Sequence, residues 1–508
     1  MIQSIYIYTY KKETRILKIY KHSSYLHIDI NFFIKYKMGS GASVPDVLDE
    51  AKAKELAGDK WNQEAFNAKK DADGNITKAQ FEEQAANNTD TKVGQQLPAN
   101  LDEINEDFIT FALKGKGLIE ENVKVVSFEK TKYGREKGYL GDKCLLENIK
   151  YEPEASTTTS PPNSIFVKMF PTDMVVPPGA IASMFKKSVD FLIRAKKELP
   201  DANDFKIPSI YFAEMEESDD TKLPPRCVIL MEPIKGKPID LLTSMPIEHA
   251  IRAVKDIAIL HTPYWGFTKE QKDKTFPGYG HLDDPGAKQQ TPGMFKMGSM
   301  MGLQVFGADG PLTDEQKKDF SGYIEFWSYF GQEIWPHLQT RWSAVMNRWA
   351  SIPAALIHGD FHVENMFCME DGSNVYFDFQ ALNFGPGVRD LVWLLTSSLT
   401  SEARKEHEKN IVQAYHEALV ARGVKDYAWE NCWEDYVFMK IDGLWRGMLG
   451  AGIFAVKNFK EKSGIFAPEP TEDAIVERKR NNLLFIQVVD DMKHSNWPDI
   501  IKALPVDD

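Results

Sequence analysis

Three polar side chains that could bind a metal ion or activate a hydroxyl group, Asp360, Asn365 and Asp378, occur close together in the sequence. The last two flank the pair Asp371-Gly372, which is bordered by apolar runs, and this pattern predicts a β-hairpin. With that pair as the centre of a two-residue turn, antiparallel partners have residue numbers that sum to 743. Asn365 and Asp378 would then face each other about 5 Å apart, so an amide oxygen and a carboxylate are predicted to converge.

Amide and carboxylate oxygens are hard donors, and two of them leave most of a coordination shell open. Such a pair suits Mg²⁺ that is shared with phosphate oxygens. Asp360 lies five residues before Asn365, in the loop that would lead into the hairpin, where its carboxylate could contact a substrate hydroxyl. A base, a metal-binding amide and a metal-binding carboxylate are together the set that phosphoryl transfer uses.

The elements that must position these residues change in character along the chain. Apolar and β-branched runs predict strands mainly in the first half, and 3.6-residue periodicity predicts helices mainly in the second half. This order predicts an α+β protein with two lobes, β-rich over residues 101–234 and mainly helical over residues 235–508. The predicted strands are 123–128, 143–151, 164–170, 207–213 and 227–231, and the predicted helices are 180–199, 247–262, 314–350, 401–422 and 431–456.

Several motifs then resemble one superfamily. The segment His358-Gly-Asp-Phe-His-Val-Glu-Asn365 resembles the H-x-D-x-x-x-x-N loop of the aminoglycoside phosphotransferases and choline kinases, and Asp378-Phe-Gln380 resembles their second metal motif. With Arg389-Asp-Leu391 and Leu260-His261 included, the similarity is greatest to the CHK kinase-like (ecdysteroid kinase-like) branch, over roughly residues 105–490. The resemblance implies a bilobal protein-kinase-like fold and ATP- and Mg²⁺-dependent phosphorylation of a hydroxyl group on a small molecule.

Each matching residue takes a role that the resemblance implies. Asp360 matches the catalytic base, and Asn365 and Asp378 match the Mg²⁺ ligands. Lys168, in an apolar strand, matches the lysine that contacts the α- and β-phosphates of ATP. The remaining matches are His358 and Asp390 as supports of the catalytic loop, Gly138 and Gly141 in the glycine-rich turn, and Met231, Glu232 and Ile234 at the interlobe hinge that binds adenine.

Two parts of the nucleotide site depart from the family pattern. The turn that contains Gly138 and Gly141 lacks the GxGxxG spacing. The helix that would supply a glutamate to pair with Lys168 has Ser188 at the expected position, and Asp190 is the nearest acid. The sequence therefore leaves open which acid, if any, pairs with Lys168.

The N-terminal region has a different composition from the rest. Residues 1–37 are rich in Tyr and Ile, and we interpret them as a disordered or non-native upstream segment, with Met38 as the natural start. Gly39 then matches the N-myristoylation pattern, with Ser43 at the favoured position. A single acyl chain would give only weak lipid anchoring.

Residues 38–100 are predicted to form a small helical module that resembles an EF-hand, followed by a linker. Its loop runs from Lys69 to Gln80, with Gly74 at the sharp-turn position and Ile76 at the apolar position. Lys69 and Gln80 replace the first and last acidic ligands. Calcium binding is therefore not expected, and a helical hairpin retained for packing is the preferred interpretation.

Composition argues against several classes of function. The net charge of −13 argues against a nucleic-acid surface. The four cysteines form no CxxC pair, which argues against a structural zinc site and a disulfide framework and fits a reducing compartment. No apolar run reaches about 18 residues, so no transmembrane helix is predicted. We expect a cytoplasmic protein, which would associate with a membrane surface if Gly39 is acylated.

Two other functions remain open. His358, Asp360 and His362 alternate and would share one face of a strand, so they could bind zinc or iron in a metal-dependent hydrolase. A non-catalytic kinase-fold binding or scaffold protein is the second alternative, favoured by the missing helix glutamate. The sequence also leaves the identity of the acceptor substrate undetermined. The Met-rich residues 264–312 suit an apolar ligand, whereas the acidic helices suit a cationic alcohol.

Overall fold

The computed structural model describes residues 47–48, 70, 75–77, 96–133, 141–154, 161–171, 178–199, 204–216, 225–236, 239–280, 285–307, 310, 312–446 and 472–507. The chain divides into two compact units, one over residues 5–96 and one that contains residues 97–508. In the first, β1 (Val47–Leu48) pairs antiparallel with β2 (Ile76–Thr77). Residues 1–37, Gly39 and most of the EF-hand-like loop lie outside the described residues, so the predictions for them stay predictions.

The second unit contains a five-stranded antiparallel sheet, whose strands lie in the order β3-β4-β5-β7-β6. Helix α1 (Glu106–Gly115) precedes the sheet, and the Asn105 side chain caps this helix by accepting a hydrogen bond from the Phe108 N–H. Helix α2 (Pro178–Glu198) follows β5. The strands are β3 (Lys124–Tyr133), β4 (Asp142–Glu152), β5 (Ile165–Met169), β6 (Ile210–Glu216) and β7 (Arg226–Met231), so the five predicted strands are confirmed.

The interior strand β7 shows why the sheet lies between two layers. Val228 and Leu230 are buried in the same apolar cluster as Phe108 of α1. Cys227 and Ile229 alternate with them and are buried in the cluster that contains Phe185 of α2. Because successive side chains of a strand point to opposite faces, a continuous apolar run buries both faces of the sheet.

The rest of the unit is mainly helical, as predicted. Two predicted helices are wrong as continuous elements. The helix 314–350 is divided after Asp319, by a π-helical turn at Phe330–Ile334, and after Leu338. Pro336 has no N–H to donate, and the Trp335 N–H bonds to the Phe330 carbonyl five residues back. The helix 431–456 is interrupted by a turn at 439–440, after which residues 441–446 are helical. The helices are α3 (Ile247–His261), α4 (Lys269–Thr275), α5 (Pro285–Phe306), α6 (Asp314–Asp319), α7 (Ser321–Tyr329), α8 (Trp335–Leu338), α9 (Trp342–Ala350), α10 (Val388–Ser398), α11 (Ser401–Ala421), α12 (Trp429–Phe438), α13 (Glu472–His494) and α14 (Trp497–Lys502).

Two short antiparallel pairs lie within this helical part. β8 (Ala354–Ile357) pairs with β11 (Asn383–Pro386), and between them β9 (Met366–Cys368) pairs with β10 (Asn374–Tyr376). The five-stranded antiparallel sheet is followed by a mainly helical part that contains these two small ladders, and the predicted α+β class is confirmed. In the described part of the chain no helix is both long enough and apolar enough to cross a membrane.

The β9–β10 hairpin is present, but its predicted register is wrong by one residue. Paired residues have numbers that sum to 742, and the Phe377 N–H donates to the Asn365 carbonyl at 3.1 Å. Asn365 therefore faces Phe377, and Asp378 is the next residue along the chain. Asp378 has φ of +64°, so the extended backbone ends there.

The turn explains the shift in register. The Gly372 N–H donates to the Met369 carbonyl at 3.0 Å, and the Met369 N–H donates to the Ser373 carbonyl at 2.9 Å. Gly372 has φ of +79°. This is a three-residue loop closed by a glycine in the left-handed conformation, whereas the prediction assumed a two-residue turn.

Candidate active site

The site is built on the loop that follows β8. Gly359 has φ of +79°, and a Cβ atom at this position would lie 2.2 Å from the carbonyl oxygen of Ala381. Only glycine combines this backbone conformation with so close an approach. The loop that carries Asp360 is thereby packed directly against the segment that follows Asp378.

Asp390, the predicted support of this loop, lies fully buried on α10. Its carboxylate accepts hydrogen bonds from the backbone N–H groups of His358 (2.7 Å) and Gly359 (2.9 Å). The His261 ring contacts the same carboxylate through Nε2 at 3.2 Å and the Tyr415 hydroxyl through Nδ1 at 2.8 Å. Burial alone would raise the pKa of Asp390, but these donors hold the pKa below its ordinary value.

His358 uses both of its ring nitrogens within the loop. Nε2 donates to the Phe377 carbonyl at 3.0 Å, and Nδ1 accepts from the Asp360 N–H at 3.3 Å. Burial lowers the pKa of His358, which agrees with a neutral ring in this tautomer. The ring therefore has no lone pair left for a metal ion, so the geometry does not support a zinc or iron site on His358, Asp360 and His362.

The carboxylate of Asp360 is surrounded by donors. Oδ1 accepts from Trp393 Nε1 at 3.1 Å and from Arg446 Nη1 at 3.2 Å. Oδ2 accepts from Asn365 Nδ2 at 3.2 Å and lies 3.6 Å from His362 Nε2. Burial alone would raise the pKa of Asp360, but His362 and the Arg446 guanidinium hold this pKa well below its ordinary range.

Arg446 is a residue of this site that the sequence pattern did not point to. Its Nε donates to the fully buried Asp442 at 2.7 Å, and its guanidinium stacks 4.4 Å from the Trp393 ring centre. A further hydrogen bond joins Arg446 to the Gly359 carbonyl. The i, i+4 spacing of Asp442 and Arg446 predicts a pair on one helix, but nothing in the sequence indicated that this pair reaches Asp360.

The two predicted metal ligands have different contacts. Asn365 Nδ2 donates to the backbone carbonyl of Asp360 at 2.8 Å, which turns the amide nitrogen toward the loop. Asp378 Oδ1 accepts from Lys168 Nζ at 3.0 Å. An amide oxygen and a carboxylate are ligands that Mg²⁺ prefers, so the donor set present fits that metal.

Lys168 thus has an acid partner that the sequence left open. Its side chain crosses from β5 to Asp378, and only 7% of the residue is exposed. Ser188, at the position where a glutamate was expected, is buried on α2. Next to the lysine, Gly141 has φ of +108°, and a Cβ atom there would lie 2.9 Å from the Met169 carbonyl oxygen. Gly138 lies outside the described residues.

The predicted hinge follows the end of β7. The Glu232 N–H donates to the Ser209 carbonyl at 2.9 Å, and the Glu232 carboxylate accepts from the Ser209 N–H at 3.3 Å. Met231 is the last strand residue and Ile234 follows it, both partly exposed. A Cβ atom on Gly236 would lie 2.9 Å from the Phe367 side chain, so this segment lies against the β9–β10 hairpin.

Several solved structures are similar to this chain at low sequence identity. An aminoglycoside phosphotransferase from Alicyclobacillus acidocaldarius is 14% identical, with a TM-score of 0.37, and the match covers 81% of this chain and 99% of that one. A choline kinase from Cryptosporidium parvum is 10% identical, with a TM-score of 0.41 and coverage of 76% and 95%. A Plasmodium vivax ethanolamine kinase is 12% identical, with a TM-score of 0.35 and coverage of 73% and 89%.

No curated protein matches the chain. A family model does match, over residues 313–425, and this segment contains Asp360, Asn365 and Asp378. The resemblance stated from the motifs is thereby confirmed for that segment: residues 313–425 match the ecdysteroid kinase-like family.

Proposed function

We propose that this protein is a kinase that uses ATP and Mg²⁺ to phosphorylate a hydroxyl group on a small molecule. The observation that carries the proposal is the contact between Lys168 Nζ and Asp378 Oδ1, at 3.0 Å across 210 residues of sequence. A phosphate-binding lysine and a metal-binding carboxylate must lie together for one nucleotide to contact both. The match of residues 313–425 to the ecdysteroid kinase-like family supports the same reaction class.

Bound MgATP would supply the phosphoryl group and the charge that the metal neutralises. Asn365 and Asp378 would hold the metal through their side-chain oxygens, and Lys168 would move from Asp378 toward the phosphate oxygens. Backbone groups from Met231 to Ile234 would bind the adenine ring. The role of these groups is positioning and charge stabilisation, which is most of catalysis in phosphoryl transfer.

Asp360 would orient the acceptor hydroxyl. Its lowered pKa makes it a weak base before the reaction, but a loose transition state needs proton removal only late. The hydrogen bonds from Trp393 and Arg446 hold the carboxylate in one orientation. A hydroxyl donating to this carboxylate would therefore meet an acceptor of defined direction, which is what a positioned nucleophile requires.

The test is a screen for acceptor-dependent ATP consumption over amino alcohols, sterols and sugar amines, with Asp360→Ala as the control. We expect ADP formation and a phosphate ester with at least one class, both lost in Asp360→Ala while MgATP binding is retained. Near-normal turnover by Asp360→Ala would contradict the assigned role of Asp360. Absence of nucleotide binding by the native chain would contradict the proposed function itself.

Ser188 favours a second candidate, a non-catalytic binding protein with a kinase fold. A serine in place of the helix glutamate cannot form the ion pair that normally holds the phosphate-binding lysine. Such a protein would show a nucleotide-dependent rise in melting temperature and no turnover with any acceptor. The same screen distinguishes the two candidates, because only the kinase forms a phosphate ester.

A further inference from the structure

We infer that Lys143 is a second lysine that contacts the phosphates of the nucleotide, beside Lys168. The inference rests on the proposed function and deepens it, because it assigns a further residue to the same nucleotide site. Lys143 lies on β4 and is partly buried. No motif in the sequence singled out this residue.

The register of the sheet brings the two lysines together. β4 pairs antiparallel with β5, and Lys143 lies directly opposite Lys168. Side chains of directly opposed residues lie on one face of a sheet, with Cβ atoms about 4.5–5.5 Å apart. Lys143 therefore leaves the backbone beside the side chain that reaches Asp378.

The neighbouring pair on these strands identifies which face the lysines occupy. Cys144 lies opposite Val167, and both are buried in the apolar cluster on the α1 side of the sheet. Because strand side chains alternate between faces, Lys143 and Lys168 lie on the other face. That face is the one from which Lys168 contacts the helical part of the chain.

Gly141 brings the backbone of β4 close to Lys168. It precedes Lys143 by two residues, and a Cβ atom at Gly141 would lie 3.4 Å from Lys168 Cε. The same Cβ atom would lie only 2.9 Å from the Met169 carbonyl oxygen, so glycine is what allows the two strands to approach this closely. This close approach holds β4, and Lys143 with it, beside the Lys168 side chain.

The energetics favour an anionic ligand here. Like charges directly opposite each other on two strands destabilise a sheet, and burial raises the cost of each ammonium group. Burial, and then the charge of Lys168, lower the pKa of Lys143 to about 8, although Asp378 and Asp142 oppose the effect. Phosphate oxygens placed between the lysines would replace repulsion with two charge-assisted hydrogen bonds.

The spacing also fits a nucleotide. Adjacent strands lie about 4.7–4.9 Å apart, and a lysine side chain is long enough to reach a ligand held above either strand. Two lysine side chains that leave adjacent strands side by side can contact successive phosphate groups of one nucleotide. Lys143 should therefore distinguish ligands by their number of phosphates and leave adenine recognition unchanged.

The experiment measures binding of ADP, AMP and adenosine, each with Mg²⁺, to the full chain by calorimetry. Lys143→Met should weaken ADP binding by about tenfold or more, since a hydrogen bond to a charged group contributes at least that factor. AMP should lose less and adenosine nothing, and Lys143→Arg should recover most of the ADP affinity. The matched control is Lys150→Met, because Lys150 is an exposed lysine of the same strand, and it should bind all three ligands as the native chain does.

Two results would overturn the inference. One is an ADP affinity in Lys143→Met equal to that of Lys150→Met, and the other is an equal loss for adenosine and ADP, which indicates a structural role. The ratio of ADP to adenosine affinity within one variant is independent of the fraction folded, so it decides the question even if the variant is less stable. Failure of the native chain to bind ADP would instead reject the proposed function, and this inference with it.

Discussion

Asp360 and Asp378 belong to one short segment, yet their carboxylates are held by different parts of the molecule. Asp378 accepts a hydrogen bond from Lys168, which is 210 residues earlier and lies in the sheet. Asp360 accepts from Trp393 and Arg446, both in the helical part. The carboxylate predicted to bind the metal therefore depends on how the sheet lies against the helical part. The carboxylate predicted to meet the acceptor is positioned within the helical part alone.

Solvent exposure does not account for this difference. The side chain of Asp378 is 29% exposed and that of Asp360 is 41% exposed. Water screens ionic contacts at both positions, so neither carboxylate is held mainly by burial. The two carboxylates differ in the residues that donate hydrogen bonds to them. Substituting the carboxylates or their donors therefore tests this difference.

The largest effect should come from Asp378→Ala. We expect MgADP affinity to fall about 10–100-fold and turnover to fall about 1,000-fold or more, because the metal would lose its carboxylate ligand. Binding of ADP without Mg²⁺ should not fall, since Lys168 loses a competitor for the phosphates. Calorimetric titrations of ADP with and without Mg²⁺ measure both affinities.

The control for that prediction is Glu370→Ala, which removes an exposed carboxylate from the same hairpin. It should bind MgADP as the native chain does. If Asp378→Ala and Glu370→Ala bound MgADP with equal affinity, Asp378 would not be a metal ligand.

Asp390→Ala tests the buried carboxylate behind the Asp360 loop. We expect the free energy of unfolding near pH 7 to fall by about 3–5 kcal/mol, because the N–H groups of His358 and Gly359 lose their acceptor. The pKa of Asp390 is lowered in the folded protein. Its contribution is therefore fully present above about pH 4 and is lost as the pH falls further.

Urea titrations at pH 7 and at pH 3 measure this effect. The difference between the native chain and Asp390→Ala should be smaller at pH 3. Asp390→Asn, which keeps one acceptor oxygen, should lose less at pH 7. A difference that is constant with pH would mean that the lost packing, and not the charge, accounts for the change.

Arg446→Leu should affect turnover and leave nucleotide binding nearly unchanged. Without Arg446, Asp360 loses one of its donors and can turn away from the acceptor, and misplacement of a reacting group by about 1 Å costs about 100-fold in rate. We expect kcat to fall about 10–100-fold, with the KM for ATP within about threefold of the native value. Arg446→Lys keeps the charge with fewer donors and should be intermediate. An equal change in kcat and in the KM for ATP would contradict the separation of the two carboxylates.

The smallest effect is expected for Gly141→Ala. A Cβ atom in this backbone conformation costs about 1–2 kcal/mol, and contact with the Met169 carbonyl adds to the cost. Gly117→Ala is the matched control, because Gly117 also has a positive φ but no atom within 4 Å of the added Cβ. Gly141→Ala should therefore be the less stable of the two in urea and should bind ADP several-fold more weakly. Equal stabilities and equal ADP affinities of the two variants would show that the close contacts at Gly141 matter neither for stability nor for nucleotide binding.

The strands, and the loop that carries Asp360 before the β9–β10 hairpin, could be predicted from the sequence because local patterns specify both. Alternation and apolar runs predict where a strand lies, and the five strands of the sheet are found where they were predicted. The hairpin register could not be predicted with the same reliability. It depends on whether Gly372 closes a three-residue loop or occupies a two-residue turn, and an Asp-Gly pair is compatible with both.

Contacts between distant residues were beyond the reach of sequence patterns. Along α2 the residues at or near the expected position of the Lys168 partner are Ser188 and Asp190, whereas the structure pairs the lysine with Asp378. Arg446 reaches Asp360 from a helix 86 residues later. Such pairs depend on how the elements pack against one another, which local sequence patterns do not specify.

The β8–β11 ladder has a consequence for the order in which the protein folds. Ile357 pairs with Asn383, so a loop of 25 intervening residues contains Asp360, Asn365 and Asp378. Closing a loop of this length costs little chain entropy and is fast compared with contacts of high sequence separation. The lysine of the sheet is synthesised first, but its contact spans 210 residues. We expect the three polar groups to be assembled early in folding, and the cation that completes the site to dock last.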